Sequence, residues 1–446
     1  MAEQRAKAAK GGSMQKNRHA RLSVQRRAFA LFTMAFCLAL FCGCAGKSAV
    51  KTTFWPPAPD LPRVQYLKAI KDSGDVRETR KLSILNLGGE AEDFVDIIKP
   101  YGIAVGGGKL YVCDTVQAEV LVIDLRSKKM NKLAGNVNAG RLKKPINASL
   151  DEQGNLYVVD TSRREVLKYA PDGSYQRSYG SGHDMKPVDV QVRENFVYIL
   201  DQSTSQVRIF DAATGDLLNS VGRRDDALRS LSGPTNMAAD DKGAIYVTNF
   251  NGRIIKLDRD GNFIFGYGKL GTRFGEFGRP RGIAVDKDGL VYVVDAAAQN
   301  VQLFDDQMRL LMFFGAPGTP GSLNIPAGIA VTSDDLAFYQ EMAEPGFILE
   351  KVIFVVSQVG DHKVTIYGFG KQQGLDYDAE VRKALEEQKR REVEAEEKRR
   401  LLQQEKDQKE KAIEGQDGKK EARPEEELQG HGGVAIPGSA PAGVNR

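Results

Sequence analysis

The stretch Pro280-Arg281-Gly282-Ile283-Ala284-Val285-Asp286-Lys287-Asp288-Gly289-Leu290-Val291-Tyr292-Val293-Val294-Asp295 decides the reading of this chain. It holds two short runs rich in β-branched residues on either side of a Gly-containing turn, the pattern of two adjacent strands. The proline that opens it recurs as Pro100, Pro145, Pro187, Pro234, Pro280 and Pro326, with gaps of 45, 42, 47, 46 and 46 residues. Each proline leads to a first apolar run, such as Gly102-Ile103-Ala104-Val105, and then to a second, such as Leu156-Tyr157-Val158-Val159-Asp160. A third follows, for example Val207-Arg208-Ile209-Phe210-Asp211, and a fourth ends in glycine, as in Phe263-Ile264-Phe265-Gly266-Tyr267-Gly268. Four short β-rich runs per unit at a near-constant period predict propeller blades; a β-sandwich would not explain the period.

The motif Pro-x-Gly-Ile-Ala-Val, then Gly-x-x-Tyr-Val-x-Asp, then Val-x-x-Phe-Asp and a closing Gly resembles the NHL repeat, and it covers about two-thirds of the chain. The resemblance implies an all-β, six-bladed β-propeller over residues 80–370. Closure is also sought in the sequence. The sixth unit has a third run, Val364-Thr365-Ile366-Tyr367, but breaks off at Gly370 without a clear fourth. Upstream lies an orphan run, Leu82-Ser83-Ile84-Leu85-Asn86-Leu87-Gly88, whose Gly88 aligns with Gly268 when the units are set on their prolines. Residues 82–87 are therefore expected to supply the outer strand of blade six, removing the open edge of the ring.

Net charge is +4, but residues 1–43 hold eight basic side chains and one acid, so the rest of the chain is −3. That remainder has no electrostatic footprint for nucleic acid. The basic leader runs into an apolar core, Ala28 to Phe41, shorter than the roughly 20 residues of a spanning helix, and is expected to be a secretory signal. Cys44 after Gly43 resembles a bacterial lipoprotein site, which implies a lipid anchor in the cell envelope; Ala45 beside it favours the outer membrane. Residues 44–79, with Pro56, Pro57, Pro59 and Pro62, read as a stalk, although Phe54 and Trp55 could pack on the domain and Val64 to Leu67 could add a strand. Residues 371–414 carry Glu-to-basic pairs four apart, as in Glu394/Lys398, expected of a charged, solvated single helix with a coiled coil as the alternative. Residues 415–446 have the composition of a disordered tail.

Catalytic signals are sparse. The sequence shows no His-x-x-x-His or Cys-x-x-Cys, so no catalytic residue, metal or cofactor is assigned. The repeated acids Asp114, Asp160, Asp201 and Asp295, matched by Asn249 and Ser357, are expected to accept backbone hydrogen bonds in the same turn of each blade. Cys113 reads as a buried apolar substitute. Function is sought where the repeats differ, at the channel mouth. Tyr101, Asn147, Asp189, Asn236 and Arg281, with Arg163 and Arg164 nearby, are the candidate ligand-binding residues. An insertion from Leu336 to Glu350 carries Phe338, Tyr339, Met342, Phe347 and Ile348, expected either to dock a partner or to pack under its own blade. These features and the resemblance imply a non-catalytic scaffold that binds a protein or peptide through the propeller face or the C-terminal helix. A metal-dependent propeller enzyme, a lyase or a lactonase-like hydrolase, is the alternative.

Overall fold

The structure, a computed structural model, describes residues 52–77, 94–222, 226 and 228–417. The leader, Cys44 and the tail beyond residue 417 lie outside them. Each proline-led unit folds into a four-stranded antiparallel sheet, and the second strands Leu156–Asp160, Ile245–Asn249 and Val291–Asp295 are buried at every position. Both faces of these strands pack against other side chains, which is why they are written as continuous apolar runs instead of alternating ones. The fourth strands, such as Lys129–Lys132 and Leu217–Val221, are largely exposed and correspondingly polar. The innermost strands contact one another in ring order, Pro100–Gly106 beside Pro145–Leu150 and so on round to Pro326–Thr332, which returns to Pro100–Gly106. This is a six-bladed β-propeller.

Closure uses a different segment from the one expected. Blade six is a five-stranded sheet whose fourth position is taken by Val64–Ile70, antiparallel to Val364–Gln372 with Val64 opposite Phe369 and Ile70 opposite Val364. A fifth, short strand, Phe54–Trp55, pairs with Val64 and Gln65. Residues 82–87 lie outside the described residues, and the place assigned to them is already filled. Glycine alignment points to the wrong run, because a shared turn residue says nothing about pairing partners. The proline-rich stretch therefore serves as the connection between two strands of blade six. Trp55 is buried against Tyr367 and Phe314, with ring centroids 5.7 and 6.4 Å away, and Val64 and Ile70 are fully buried. Each such side chain contributes roughly 1.5–3 kcal/mol through its removal from water.

The insertion in blade six forms a short helix, Leu336–Gln340, and lengthens the second strand to Phe347–Ser357. Tyr339 packs edge-on against Phe354 at 5.7 Å and Phe347 is fully buried, so the insertion covers its own blade. Residues from Gly374 onward form a separate unit, whose helix Tyr377–Asp417 exposes Val381, Val393, Leu401 and Leu402.

Candidate functional site

The repeated acids work as anticipated. Asp160 accepts backbone N–H bonds from Lys143, Lys144 and Arg163 at 2.5, 3.0 and 2.9 Å. Asp114 does the same for Ile98, Lys99, Val116 and Gln117, and Asp295 for Gly278, Arg279, Ala297 and Ala298. Asn249 and Ser357 take single bonds from Ser232 and Asn324. Each such group ties the loop entering its blade to the loop between the second and third strands. At Asp201, burial pushes the carboxyl up, but bonds from Ser203, Lys186 and Thr204 outweigh it and hold it below the usual range. Cys113 is free and fully buried, and burial drives its thiol well above the usual value.

The register slips just after every opening proline. Pro145 pairs with Asp160 but Asn147 with Val159, and Pro187 with Asp201 but Asp189 with Leu200; the other four blades also slip. Such bulges re-aim the side chains beside them. Here they set Tyr101, Asn147, Asp189, Asn236 and Arg281 against one another and the backbone of neighbouring innermost strands. The strands approach closely there. A Cβ on Gly102 would lie 2.3 Å from Asn147 Oδ1, and one on Gly328 would lie 2.5 Å from the Tyr101 carbonyl oxygen.

The channel wall is polar and largely buried. Asn147 Nδ2 donates to the Val188 carbonyl at 2.7 Å, and Asp189 accepts N–H bonds from Val190 at 2.8 Å and Met237 at 2.9 Å. Burial dominates at Asp189, lifting its carboxyl from 3.8 to about 7 against the pull of the Met237 and Val190 N–H groups and the Asn236 side chain. The Arg281 guanidinium lies 5.1 Å over the Tyr101 ring and is 8% exposed, yet makes no ion pair among the described residues. Tyr101 is shifted upward mainly by burial, against the opposing charge of Arg281, so its hydroxyl stays protonated. Asn236 Oδ1 is buried without a partner.

Arg163 and Arg164 are not part of this group. Arg163 donates to the Ala139 and Arg141 carbonyls, both at 2.8 Å, and pairs with Glu165; Arg164 donates to the Met185 carbonyl at 2.8 Å and pairs with Asp184. Both brace rim loops. Sequence reasoning passed over the residue just before each proline, Lys99, Lys144, Lys186 and Arg279 in four of six blades. The signal was visible as a repeated column of cations.

The described residues do not fit a metal centre. Among the described residues no three His, Cys, Asp or Glu side chains converge. In the channel both Asp189 oxygens already accept N–H bonds, and the other charged group, Arg281, is itself a cation.

The NHL repeat description matches residues 277–304, which span the first three strands of blade five. With the architecture above, the chain is a six-bladed propeller of NHL repeats. Solved structures of similar fold include virginiamycin B lyase from Staphylococcus aureus, 14% identical with a TM-score of 0.42, covering 61% of this chain and 85% of that one. A gluconolactonase from Xanthomonas campestris is 14% identical with a TM-score of 0.47, covering 71% and 97%. A protein of unknown function from Bacteroides thetaiotaomicron is 16% identical with a TM-score of 0.47, covering 69% and 75%. No curated protein matches in sequence. Two of these neighbours are enzymes, which corrects the expectation of a non-catalytic scaffold in favour of its enzyme alternative. At such identities the likeness speaks for the fold alone, so the channel's own chemistry must carry any activity.

Proposed function

We propose that the propeller is an enzyme of the lyase or lactone-hydrolysing kind that works at its axial channel. One observation carries this reading: a buried carboxyl, Asp189, poised at about 7 in the ring of residues that also holds Tyr101 and Arg281. A group with that pKa takes and returns protons near neutrality, which is what acid–base catalysis requires. Arg281 would hold a substrate carboxylate and lower the cost of charge building up beside it. In an elimination, Asp189 takes the proton from the carbon next to that carboxylate. The electron pair forms the new double bond, and the leaving oxygen departs with the proton of Tyr101. In lactone opening, Asp189 takes a proton from the attacking water and the ring oxygen leaves as a hydroxyl. No step passes through a metal.

The test is turnover on acidic sugars and sugar lactones, read by ultraviolet absorbance of a new double bond and by acid release. Activity that rises through pH 7 and disappears in Asp189→Asn supports the reading. Activity untouched by Asp189→Asn places the chemistry elsewhere. For location we propose the cell envelope, supported by the leader and Cys44. Incorporation of an alkyne fatty acid into wild type but not into Cys44→Ala is the expected result, and an unlabelled wild type would refute it.

A further inference from the structure

Six equivalent positions surround the channel mouth, one per blade, each immediately before the opening proline. They are occupied by Lys99, Lys144, Lys186, Gly233, Arg279 and Ile325. The fold holds the backbone of the four cations identically. The N–H of each donates to its blade's acid: Lys99 to Asp114 at 2.9 Å, Lys144 to Asp160 at 3.0 Å, Lys186 to Asp201 at 2.9 Å and Arg279 to Asp295 at 2.9 Å. The carbonyl of each accepts from the residue after that acid, Thr115, Thr161, Gln202 or Ala296. Their positions are therefore set by the propeller itself and form an arc over blades one to three with a fourth member at blade five.

These cations are unspent. All four are exposed, and none makes an ion pair or a side-chain hydrogen bond among the described residues. Four of the described acids on the same rim are engaged with other cations, Glu165 with Arg163, Asp184 with Arg164, Asp226 with Arg229 and Glu276 with Lys269. Below the arc lies Arg281, a nearly buried cation with no carboxylate, and burying an unpaired charge is costly unless something pairs with it. Asn236 Oδ1, buried and unpartnered, is a second group in the channel that lacks its complement. A hollow of about 530 Å³ on the blade-two rim adds Arg141 and Lys143 to the same field.

We infer that the channel takes a multiply charged anion, with one anionic group on Arg281 and others held in the field of Lys99, Lys144, Lys186 and Arg279. Charges spread over four blades cannot converge on one carboxylate, so a ligand using them must carry several negative groups. The arc raises the local concentration of such a ligand and orients it, whereas a singly charged molecule gains little. Lys99, Lys144, Lys186 and Arg279 are binding residues here, remote from the reacting atoms. The inference deepens the enzyme reading by naming its substrate class, but the crown is tested by binding alone.

Calorimetry on the full chain at low ionic strength compares citrate and tripolyphosphate with acetate and orthophosphate. The two pairs separate carboxylate from phosphate as the source of the charge. Tighter binding of either probe with several anionic groups than of its single-group partner, by about tenfold or more, is expected, weakening steeply with salt. The quadruple variant Lys99→Gln/Lys144→Gln/Lys186→Gln/Arg279→Gln should lose that advantage, while Lys129→Gln/Lys287→Gln on the opposite rim keeps it. An unchanged melting temperature shows that the quadruple variant is folded; if it is not, the four single variants are compared and each should weaken binding. Equal affinity for single and multiple anions, or equal binding by wild type and crown variants, overturns the inference. Binding of oligouridylate through the same residues, tighter than either probe, also overturns it. Loss of the crown result with turnover still dependent on Asp189 would leave the enzyme reading standing without it.

Discussion

Replacing Asp189 by Asn removes a carboxyl whose charge the channel resists, and the consequence has a definite sign. The folded-state pKa is raised from 3.8 to about 7 by burial, so the fold prefers the neutral acid. Below pH 3.8 both states are protonated and the site costs nothing. Between about pH 4 and 7 the unfolded chain ionises while the folded one does not, and stability falls. Above about 7 the folded protein carries the full penalty of a buried carboxylate. Each pH unit of difference is worth about 1.4 kcal/mol, so the gap of about three units amounts to roughly 4 kcal/mol lost by the wild type across that window. The Asp189→Asn variant would escape this loss. It should nevertheless cost something constant, since an amide can accept only one of the two N–H bonds from Val190 and Met237. Urea unfolding of both proteins from about pH 4 to about pH 8 separates the two effects. The difference in stability should move by about 4 kcal/mol in favour of the variant as pH rises. Parallel curves would show that the carboxyl ionises normally, and the acid–base role would go with them.

Other perturbations test the frame around the channel. Lys351 is 3% exposed and bonded to Asp286 and Asp288, so Lys351→Ala strands the buried Asp286 and should cost about 3–5 kcal/mol in denaturant unfolding. Trp55→Ala empties the contact with Tyr367 and Phe314 and should cost about 3–5 kcal/mol, with earlier proteolysis of the first strands. Asp160→Ala orphans the N–H groups of Lys143, Lys144 and Arg163 and should cost at least ~2 kcal/mol by thermal melting; Ser357→Ala, which releases only Asn324, should cost less. Equal losses for these last two would show that the count of bonds does not set the cost.

Much of this molecule was legible because its repeat is long and regular. The prolines gave the blades, and five of the seven ligand-binding candidates follow those prolines, where the strand register shifts. Tyr111, Tyr157, Tyr198, Tyr246 and Tyr292 recur at one place in the second strand, and all five are buried. What the sequence could not carry was pairing between distant segments. Residues 64–70 and 82–87 are both plausible strands on composition, and only contact with Val364–Gln372 separates them. Arg163 and Arg164 were misplaced for a similar reason: their destinations are the carbonyls of Ala139, Arg141 and Met185, which no side-chain pattern reveals. The pKa of Asp189 follows from burial among neighbouring strands and has no counterpart in local sequence.

The strand Val64–Ile70 also has a consequence for the history of each molecule. It leaves the ribosome before any blade exists, yet its partner Val364–Gln372 is made about three hundred residues later. The first piece of the propeller synthesised is thus among the last to find its place. Until then blade six offers an unpaired edge, a template for a neighbouring chain. Ring assembly in this protein ends with a strand made before the blades, and the interval between its synthesis and its pairing is the period in which the protein is most exposed to a wrong partner.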